Sequence, residues 1–254
     1  MRRVARICFV AAFLVSAVVA QDEPLPKWMQ DFQRESAPKL LLDYGQLSVY
    51  REANGKLGPP APREDRVVFL GDSITAGWDL EKSFRGKPFI NRGIGWQNTA
   101  QMVIRFRRDV LSLKPKVVVI LAGTNDISGA YGPMSLQEIQ DNFESLTDLG
   151  RANGVQVVLS SILPVHNYTP DSQDMYRVRP REKIRTLNNW LQNYCSDGRC
   201  VYLDYFSAMV DDKGLMRKDF AEDGVHPTDT GYAVMAPLAE KAIRMAIGGE
   251  NNAH

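Results

Sequence analysis

Short apolar runs that end abruptly are the sequence feature that most constrains the fold of this chain. Residues 67–70 are valine, valine, phenylalanine and leucine, and Gly71, Asp72 and Ser73 follow at once. A run of this kind, bounded by charge on one side and glycine on the other, is typical of a buried strand in a parallel sheet. Since open α/β sheets bind ligands at the carboxyl ends of their strands, Ser73 lies where a functional site would form.

Helical patterns alternate with apolar runs along the rest of the chain. Asn98 with Gln101, and Ser135 with Glu138, have the spacing of capping boxes at helix starts. Five strands separated by helices predict an α/β fold, a flavodoxin-like three-layer α/β/α sandwich with a parallel sheet in the order 2-1-3-4-5. Besides the strand at 67–70, we predict strands at residues 89–90, 117–121, 155–160 and 200–205, and helices at about 39–53, 98–113, 135–153, from 180 onward and 228–247.

The two ends of the chain differ from its middle. In residues 1–20, three arginines precede an apolar stretch that ends in small residues, which is typical of a secretory signal peptide cleaved near Ala20. An uncleaved membrane anchor is the alternative, although the stretch is short for a span. Residues 21–65 are predicted to form a helical arm packed on the main domain at 66–248, and 249–254 form a polar tail.

The charge balance excludes some classes of partner. Loss of the predicted signal peptide would remove three of the 31 basic residues and leave 28 against 30 acidic ones. No basic stripe remains to indicate a nucleic-acid partner. No other stretch is long and apolar enough for stable membrane insertion after cleavage, so we expect export to the periplasm or the extracellular space.

Two cysteines, Cys195 and Cys200, remain outside the predicted signal peptide. In an exported protein they could close a small disulfide around the turn between them, or they could stay free. Two thiols without nearby histidines are too few ligands for a metal site.

Polar residues follow four of the predicted strands. Ser73 follows the first, Gly95 the second, Asn125 the third, and the pair Asp223 and His226 comes after the fifth. All four groups fall on one edge of a parallel sheet. A serine nucleophile needs a base, a histidine can supply it when a carboxylate orients the ring, and the developing oxyanion needs N–H donors. The set therefore predicts an acyl-transfer site.

The three histidines of the chain differ in their suitability as the base. His254 ends the chain, and His166 has no acid at short spacing. His226 follows Asp223 by three residues, which lets the carboxylate fold back onto the ring. Each feature has a plainer reading, because Ser73 alone could be a helix N-cap and Asn125 could stabilise a turn. Their joint occurrence at one sheet edge favours the catalytic interpretation.

These blocks resemble the SGNH (GDSL-type) hydrolase family, and within it the secreted bacterial esterases and acylhydrolases. The residues that carry the resemblance are 71–73, Gly95, 123–126 and 223–227, and it covers roughly residues 66–247. The resemblance implies a flavodoxin-like sandwich and serine ester hydrolysis without a metal or other cofactor. It implies the following roles: Ser73 as nucleophile, Asp223 and His226 as its acid and base partners, and Gly95 and Asn125 as oxyanion-hole residues.

One departure from the family pattern concerns the substrate. Relatives often carry a second glycine after the oxyanion glycine, whereas this chain has Trp96. Trp96 could narrow the acyl pocket, offer a flat face to a sugar, or pack inside the protein. Trp78, close after the nucleophile, and His166, in the loop after the fourth strand, are further candidates for substrate contact.

The substrate class rests on aromatic and arginine residues in the loop over residues 163–179. They favour short-chain acyl esters, above all acetyl esters, on carbohydrates. The alternative is a lysophospholipase or an acylhydrolase similar to platelet-activating-factor acetylhydrolase. A catalytically inactive binding module and a metal-dependent phosphoesterase are two further hypotheses. The intact Ser73, Asp223 and His226 argue against the first, and the absence of a histidine–carboxylate cluster argues against the second.

Overall fold

Five short parallel strands form the centre of the protein in a computed structural model that describes residues 24–249. Across the sheet the strands follow the order β2-β1-β3-β4-β5, and every neighbouring pair is parallel. This confirms the predicted architecture. The predicted signal peptide and His254 lie outside the described residues. The strands are β1 Val67–Gly71, β2 Phe89–Gly93, β3 Val117–Leu121, β4 Gln156–Ser160 and β5 Val201–Leu203.

Helices cover both faces of the sheet. Over one face α5, α7 and α9 pack side by side, while α11 lies against β3, β4 and β5 on the other. Every residue of β1 and β3 is buried as a result, which explains their uninterrupted apolar sequence. The helices are α1 Lys27–Leu42, α2 Arg51–Lys56, α3 Ser73–Ala76, α4 Leu80–Ser83, α5 Thr99–Asp109, α6 Thr124–Ser128, α7 Leu136–Ala152, α8 Ser172–Arg177, α9 Arg181–Tyr194, α10 Phe206–Met209 and α11 Asp229–Gly249.

Both predicted capping boxes are present. Asn98 and Gln101 exchange side-chain hydrogen bonds with each other's backbone N–H groups at the start of α5, and Ser135 and Glu138 do the same at α7. The predicted helix over 98–113 stops earlier, at Asp109, and a short 3-10 turn follows. The helices α3, α4, α6, α8 and α10 were not predicted, because one or two turns are too short to produce a periodic pattern.

The predicted single helix over residues 39–53 is wrong. α1 ends at Leu42, and the carboxylate of Asp43 accepts hydrogen bonds from two backbone N–H groups of the turn that follows. In that turn Gly45 packs so closely on the main domain that a Cβ there would lie 2.6 Å from Ile104. Its carbonyl accepts a hydrogen bond from Gln97, so a tertiary contact overrides the helical spacing of the apolar residues.

Cys195 and Cys200 are joined by a disulfide just after α9. None of the helices within residues 24–249 combines the length and apolar composition that crossing a membrane requires.

Candidate active site

Ser73 is the first residue of α3, directly behind the end of β1. Asp72 caps the helix, with its Oδ1 accepting a hydrogen bond from the N–H of Ile74 at 2.9 Å. The turn is tight, because a Cβ on Gly71 would lie 2.0 Å from the hydroxyl of Thr75, inside any allowed contact. Glycine at this position therefore lets the chain turn sharply from the strand and present Ser73 at the sheet edge.

The structure brings Ser73, His226 and Asp223 into one chain of hydrogen bonds. Ser73 Oγ lies 2.8 Å from His226 Nε2, and His226 Nδ1 lies 2.6 Å from Asp223 Oδ2. The other carboxylate oxygen, Oδ1, accepts from the backbone N–H groups of Val225 at 2.9 Å and His226 at 2.8 Å. The Asp223 carboxylate thus binds backbone groups of its own loop through one oxygen and orients the imidazole through the other.

The environment keeps the Asp223 carboxylate charged. Partial burial opposes the charged form, but hydrogen bonds from the His226 ring and from two backbone N–H groups outweigh it and hold the pKa of Asp223 well below its ordinary value. A carboxylate that stays ionised can accept the Nδ1–H of the ring and stabilise an imidazolium. The arrangement supplies a serine hydroxyl, a base and an orienting anion.

Asn125 lies at the start of α6, with its side chain buried and its amide orientation fixed. Its Nδ2 donates to the carbonyl of Gln97 at 3.1 Å, and its Oδ1 lies 3.5 Å from a guanidinium nitrogen of Arg179. A guanidinium can only donate and a carbonyl can only accept, so the amide oxygen of Asn125 faces Arg179 and the amide nitrogen faces Gln97. An amide nitrogen carries two N–H groups, and the bond to Gln97 uses one of them. Gly95 lies in the same loop as Gln97, between β2 and α5.

A buried aspartate connects the loops that carry Gly95 and Asn125. Asp126 accepts hydrogen bonds from both the backbone N–H and the hydroxyl of Thr99, the first residue of α5. Burial raises the pKa of Asp126 to about 6, although the bonds from Thr99 favour the charged form. The contact fixes the distance between two candidate oxyanion donors.

Asp72 is also fully buried, and it is less well satisfied. Within residues 24–249 no donor lies within hydrogen-bond distance of its Oδ2. Burial raises the pKa of Asp72 to about 6, while the N–H of Ile74 and the nearby His226 and Arg179 act in the opposite direction. Asp72, the residue beside the candidate nucleophile, therefore loses its proton at a higher pH than an exposed aspartate does.

The predicted N-terminal arm, of which the structure describes residues 24–65, contacts this edge of the sheet. Gln97 donates to the carbonyl of Gly45 at 3.2 Å and to the side chain of Gln46 at 2.9 Å. The indole of Trp96 stacks on Phe32 of α1 with ring centroids 4.3 Å apart. Trp96 has a φ of +67°, a left-handed conformation that glycine adopts more easily. Of the interpretations considered for Trp96, the structure favours packing against the arm.

Two residues that we expected to contact the substrate, Trp78 and His166, are buried instead. Trp78 is 3 % exposed, and its indole N–H donates to Ser83 within the core. His166 is 0 % exposed, and its ring bonds only to backbone groups. Neither ring presents a surface to a substrate, because tertiary packing covers both.

Two buried arginines lie at this edge, and neither was predicted as a site residue, although Arg179 ends the loop over residues 163–179 that we expected to border the site. Arg105, fully buried, donates to the carbonyl of Gly71 at 3.0 Å and to the side chain of Gln97. Arg179, also buried, donates to the hydroxyl of Thr124 at 2.9 Å, and burial lowers its pKa to about 10. The spacing of apolar residues in α5 does not indicate that Arg105 of the same helix is buried. A charged residue just before the helix start at Pro180 was the available signal for Arg179. Among the described residues, no group of three or more potential metal-ligating side chains comes together.

Comparisons with known proteins show the family and the fold of this chain. The family model of the GDSL-like Lipase/Acylhydrolase family matches residues 69–234, more than half of the chain. The crystal structure of a proposed acylhydrolase from Bacteroides fragilis is 36% identical, with a TM-score of 0.74 over 80% of this chain and 98% of that one. An acetylxylan esterase of Xylanibacter ruminicola is 25% identical over 73% of this chain and 45% of its own length.

A third relative is an uncharacterised lipoprotein of Bacillus subtilis, 33% identical over 39% of this chain and 49% of its own length. The chain thus spans about half the length of the curated relatives it matches. The extent of the family match, together with the fold that it shares with the Bacteroides protein, leads to one conclusion. The chain belongs to the GDSL-like lipase/acylhydrolase family, the ester hydrolases that its sequence resembles.

Proposed function

We propose that this protein is a serine ester hydrolase that removes short acyl groups, above all acetyl, from esters of carbohydrates. The observation that carries the proposal is the continuous hydrogen-bonded chain from Ser73 through His226 to Asp223. We take residues 66–248 as the catalytic domain and the N-terminal arm as a part of the structure that supports it.

In the proposed first step, Ser73 Oγ attacks the ester carbonyl while His226 Nε2 takes the hydroxyl proton. Asp223 keeps the other ring proton on Nδ1, so Nε2 is free to act as the base. The negative charge that develops on the carbonyl oxygen is stabilised by the N–H groups of Gly95 and Ser73 and by the Asn125 amide. The tetrahedral intermediate collapses when His226 gives its proton to the leaving alcohol, which yields an acyl-enzyme ester on Ser73.

Water completes the proposed cycle. His226 removes a proton from a water molecule that attacks the acyl carbonyl, and the same donors stabilise the second oxyanion. The imidazolium then returns its proton to Ser73 Oγ as the carboxylic acid leaves. The proposed cycle uses no metal or other cofactor. His226 accepts and returns each proton that is transferred.

The acetyl and carbohydrate parts of the proposal have separate support. The acetylxylan esterase of Xylanibacter ruminicola is a relative over most of this chain. The rings of Phe32 and Tyr131 are partly exposed, and their centroids lie 5.5 Å apart. Together they offer apolar surface to a sugar ring.

We also propose that the protein is exported. The pattern of residues 1–20 supports this, as does the relationship to a lipoprotein of Bacillus subtilis. The disulfide between Cys195 and Cys200 is consistent with an oxidising compartment.

Hydrolysis of p-nitrophenyl acetate, butyrate and octanoate, each with a chelator present, tests the proposed reaction. We expect turnover that the chelator does not reduce, fastest with acetate, and lower by at least about 10⁴-fold in Ser73→Ala. Acetate release from acetylated xylo-oligosaccharides, measured beside it, tests the carbohydrate part.

Ser196→Ala provides the matched control, because Ser196 is an exposed serine in the disulfide turn, far from the hydrogen-bonded chain. It should retain full activity. Equal rates for the protein and for Ser73→Ala would reject Ser73 as the nucleophile. Preference for octanoate would reject the short-acyl proposal and favour a lipid substrate.

A further inference from the structure

His166 is buried beneath the loop that carries Asp223. The side chain is 0 % exposed, and the proposed reaction gives it no role. Its Nε2 lies 2.6 Å from the carbonyl of Ala221, and its Nδ1 lies 3.2 Å from the backbone N–H of Tyr168. Its own backbone N–H donates to the carbonyl of Gly224 at 3.1 Å.

These partners define the tautomer of the ring. A backbone N–H can only donate, so Nδ1 of His166 accepts from Tyr168 and carries no proton. Nε2 therefore carries the proton and donates it to the carbonyl of Ala221. The neutral ring is fully satisfied in this form, which accounts for its burial without a charged partner.

The two carbonyls that His166 binds flank Asp223 on both sides. Ala221 lies two residues before it and Gly224 directly after it. Gly224 has a φ of +86°, and a Cβ there would lie 2.6 Å from the carbonyl oxygen of His166, so the loop lies directly on this residue. The side chain of Asp223 is itself 37 % exposed, and its Oδ1 is held by backbone N–H groups of its own loop. Its position is therefore set by the position of its loop.

We infer that His166 is a positioning residue that fixes Asp223 for its contact with His226, an inference that rests on the proposed function. It acts through the backbone and touches no reacting atom. The ring ties the loop after β4 to the loop before α11, two segments that are 55 residues apart in the chain. Without the ring, the loop loses its hydrogen bond at Ala221, one of the constraints that keep the Asp223 carboxylate 2.6 Å from Nδ1 of His226.

A double-mutant cycle tests the inference. His166→Leu removes the donor to Ala221 and keeps an apolar side chain, and we expect kcat for p-nitrophenyl acetate to fall about ten- to a hundredfold with KM within about twofold. His166→Gln places an amide N–H near the position of Nε2 and should restore most of the rate. In the Asp223→Asn background, His166→Leu should change kcat less than about twofold, because the carboxylate it positions is already gone.

A purely structural role predicts a different result. His166→Leu would then lower kcat by the same factor in both backgrounds, and His166→Gln would not recover it; either finding overturns the inference. Thr147→Val removes a fully buried hydroxyl in α7 and serves as the control for lost stability, with kcat per folded molecule unchanged. Chemical denaturation of each variant gives the folded fraction used in that comparison.

A second measurement separates this inference from the proposed function. In protein labelled with ¹⁵N-histidine, the proton between His226 Nδ1 and Asp223 can be observed by NMR without any substrate. We expect the signal in the unmodified protein and in His166→Gln, and its loss or broadening in folded His166→Leu. If the enzyme turns over no ester but the signal behaves in this way, the proposed function fails and the positioning role stands. An unchanged signal in His166→Leu overturns the positioning role, whatever the activity.

Discussion

The two halves of the candidate site are held in place by different means. The oxyanion half, Gly95 and Asn125, is enclosed by buried polar groups, and Asn125 itself is 3 % exposed. The base half, Asp223 and His226, is open, with side chains 37 % and 39 % exposed. Donors for an oxyanion must be fixed before the reaction, whereas a base must exchange its proton with each turnover. The difference in burial is the one that the proposed roles require.

The supports of the two halves differ as well. Arg179, Asp126 and Arg105 stabilise the oxyanion half with charged groups inside the protein, where each hydrogen bond is stronger than in water. The base half is held by the backbone N–H groups that bind the Asp223 carboxylate and, as inferred above, by the contacts of His166 to the backbone on either side of it. A change in the first half should therefore alter the rate at every pH, and a change in the second should act through the base.

Substitution at Asn125 gives the largest effect expected from the oxyanion half. Asn125→Ala should lower kcat about 10²- to 10³-fold, since one preorganised donor is lost, with little change in KM. The shape of the pH–rate profile should stay as it is, because the base half is untouched. Steady-state kinetics on p-nitrophenyl acetate between pH 5 and pH 9 measures both. A loss below about threefold would remove Asn125 from the oxyanion hole.

The pH dependence of stability tests whether burial raises the pKa of Asp72, the residue before the candidate nucleophile. The pKa of Asp72 is about 6 in the folded protein against an ordinary value of 3.8, so between these values the folded state binds more protons than the unfolded one. Its contribution to stability is therefore greatest below about pH 4 and is lost as the pH rises through 6. Asp72→Asn should lack this loss, so from pH 4 to pH 7 its free energy of unfolding should rise relative to the parent by about 2 kcal/mol.

Urea denaturation at pH 4, 5, 6 and 7 provides the measurement. Asp126, with the same raised pKa, keeps its own contribution in both proteins and cancels in the difference. The matched control is Asp65→Asn, the same substitution at an exposed position beside β1. A constant difference for Asp72→Asn would mean that this carboxyl titrates normally in the fold.

The smallest expected effect concerns the arm. Phe32→Ala removes the ring that stacks on Trp96, and an aromatic pair contributes about 0.5–1.5 kcal/mol to packing. We therefore expect a small fall in kcat, at most about tenfold even where the whole contribution positions the oxyanion donors. Leu42→Ala, on the same helix but 91 % exposed, should have no effect. Equal rates for Phe32→Ala and Leu42→Ala would show that the arm does not support the oxyanion half.

Local sequence patterns predicted the strands and the longer helices well because their determinants are local. The apolar runs at β1 and β3, and the capping boxes of α5 and α7, lie within a few residues of the elements they define. The arm shows the limit of this reasoning. Its apolar spacing predicted one helix over 39–53, but contacts of Gly45 with Ile104 and Gln97 impose a turn there.

The same division applies to the candidate site. Glycine after a strand, serine at a helix start and Asp-x-x-His are short-range patterns, so the sequence alone determined which residues meet at the edge of the sheet. Only the tertiary structure decided what surrounds them. It buried His166 and Trp78, enclosed Arg105 and Arg179, and stacked Trp96 on the arm, because burial depends on contacts between residues far apart in the chain.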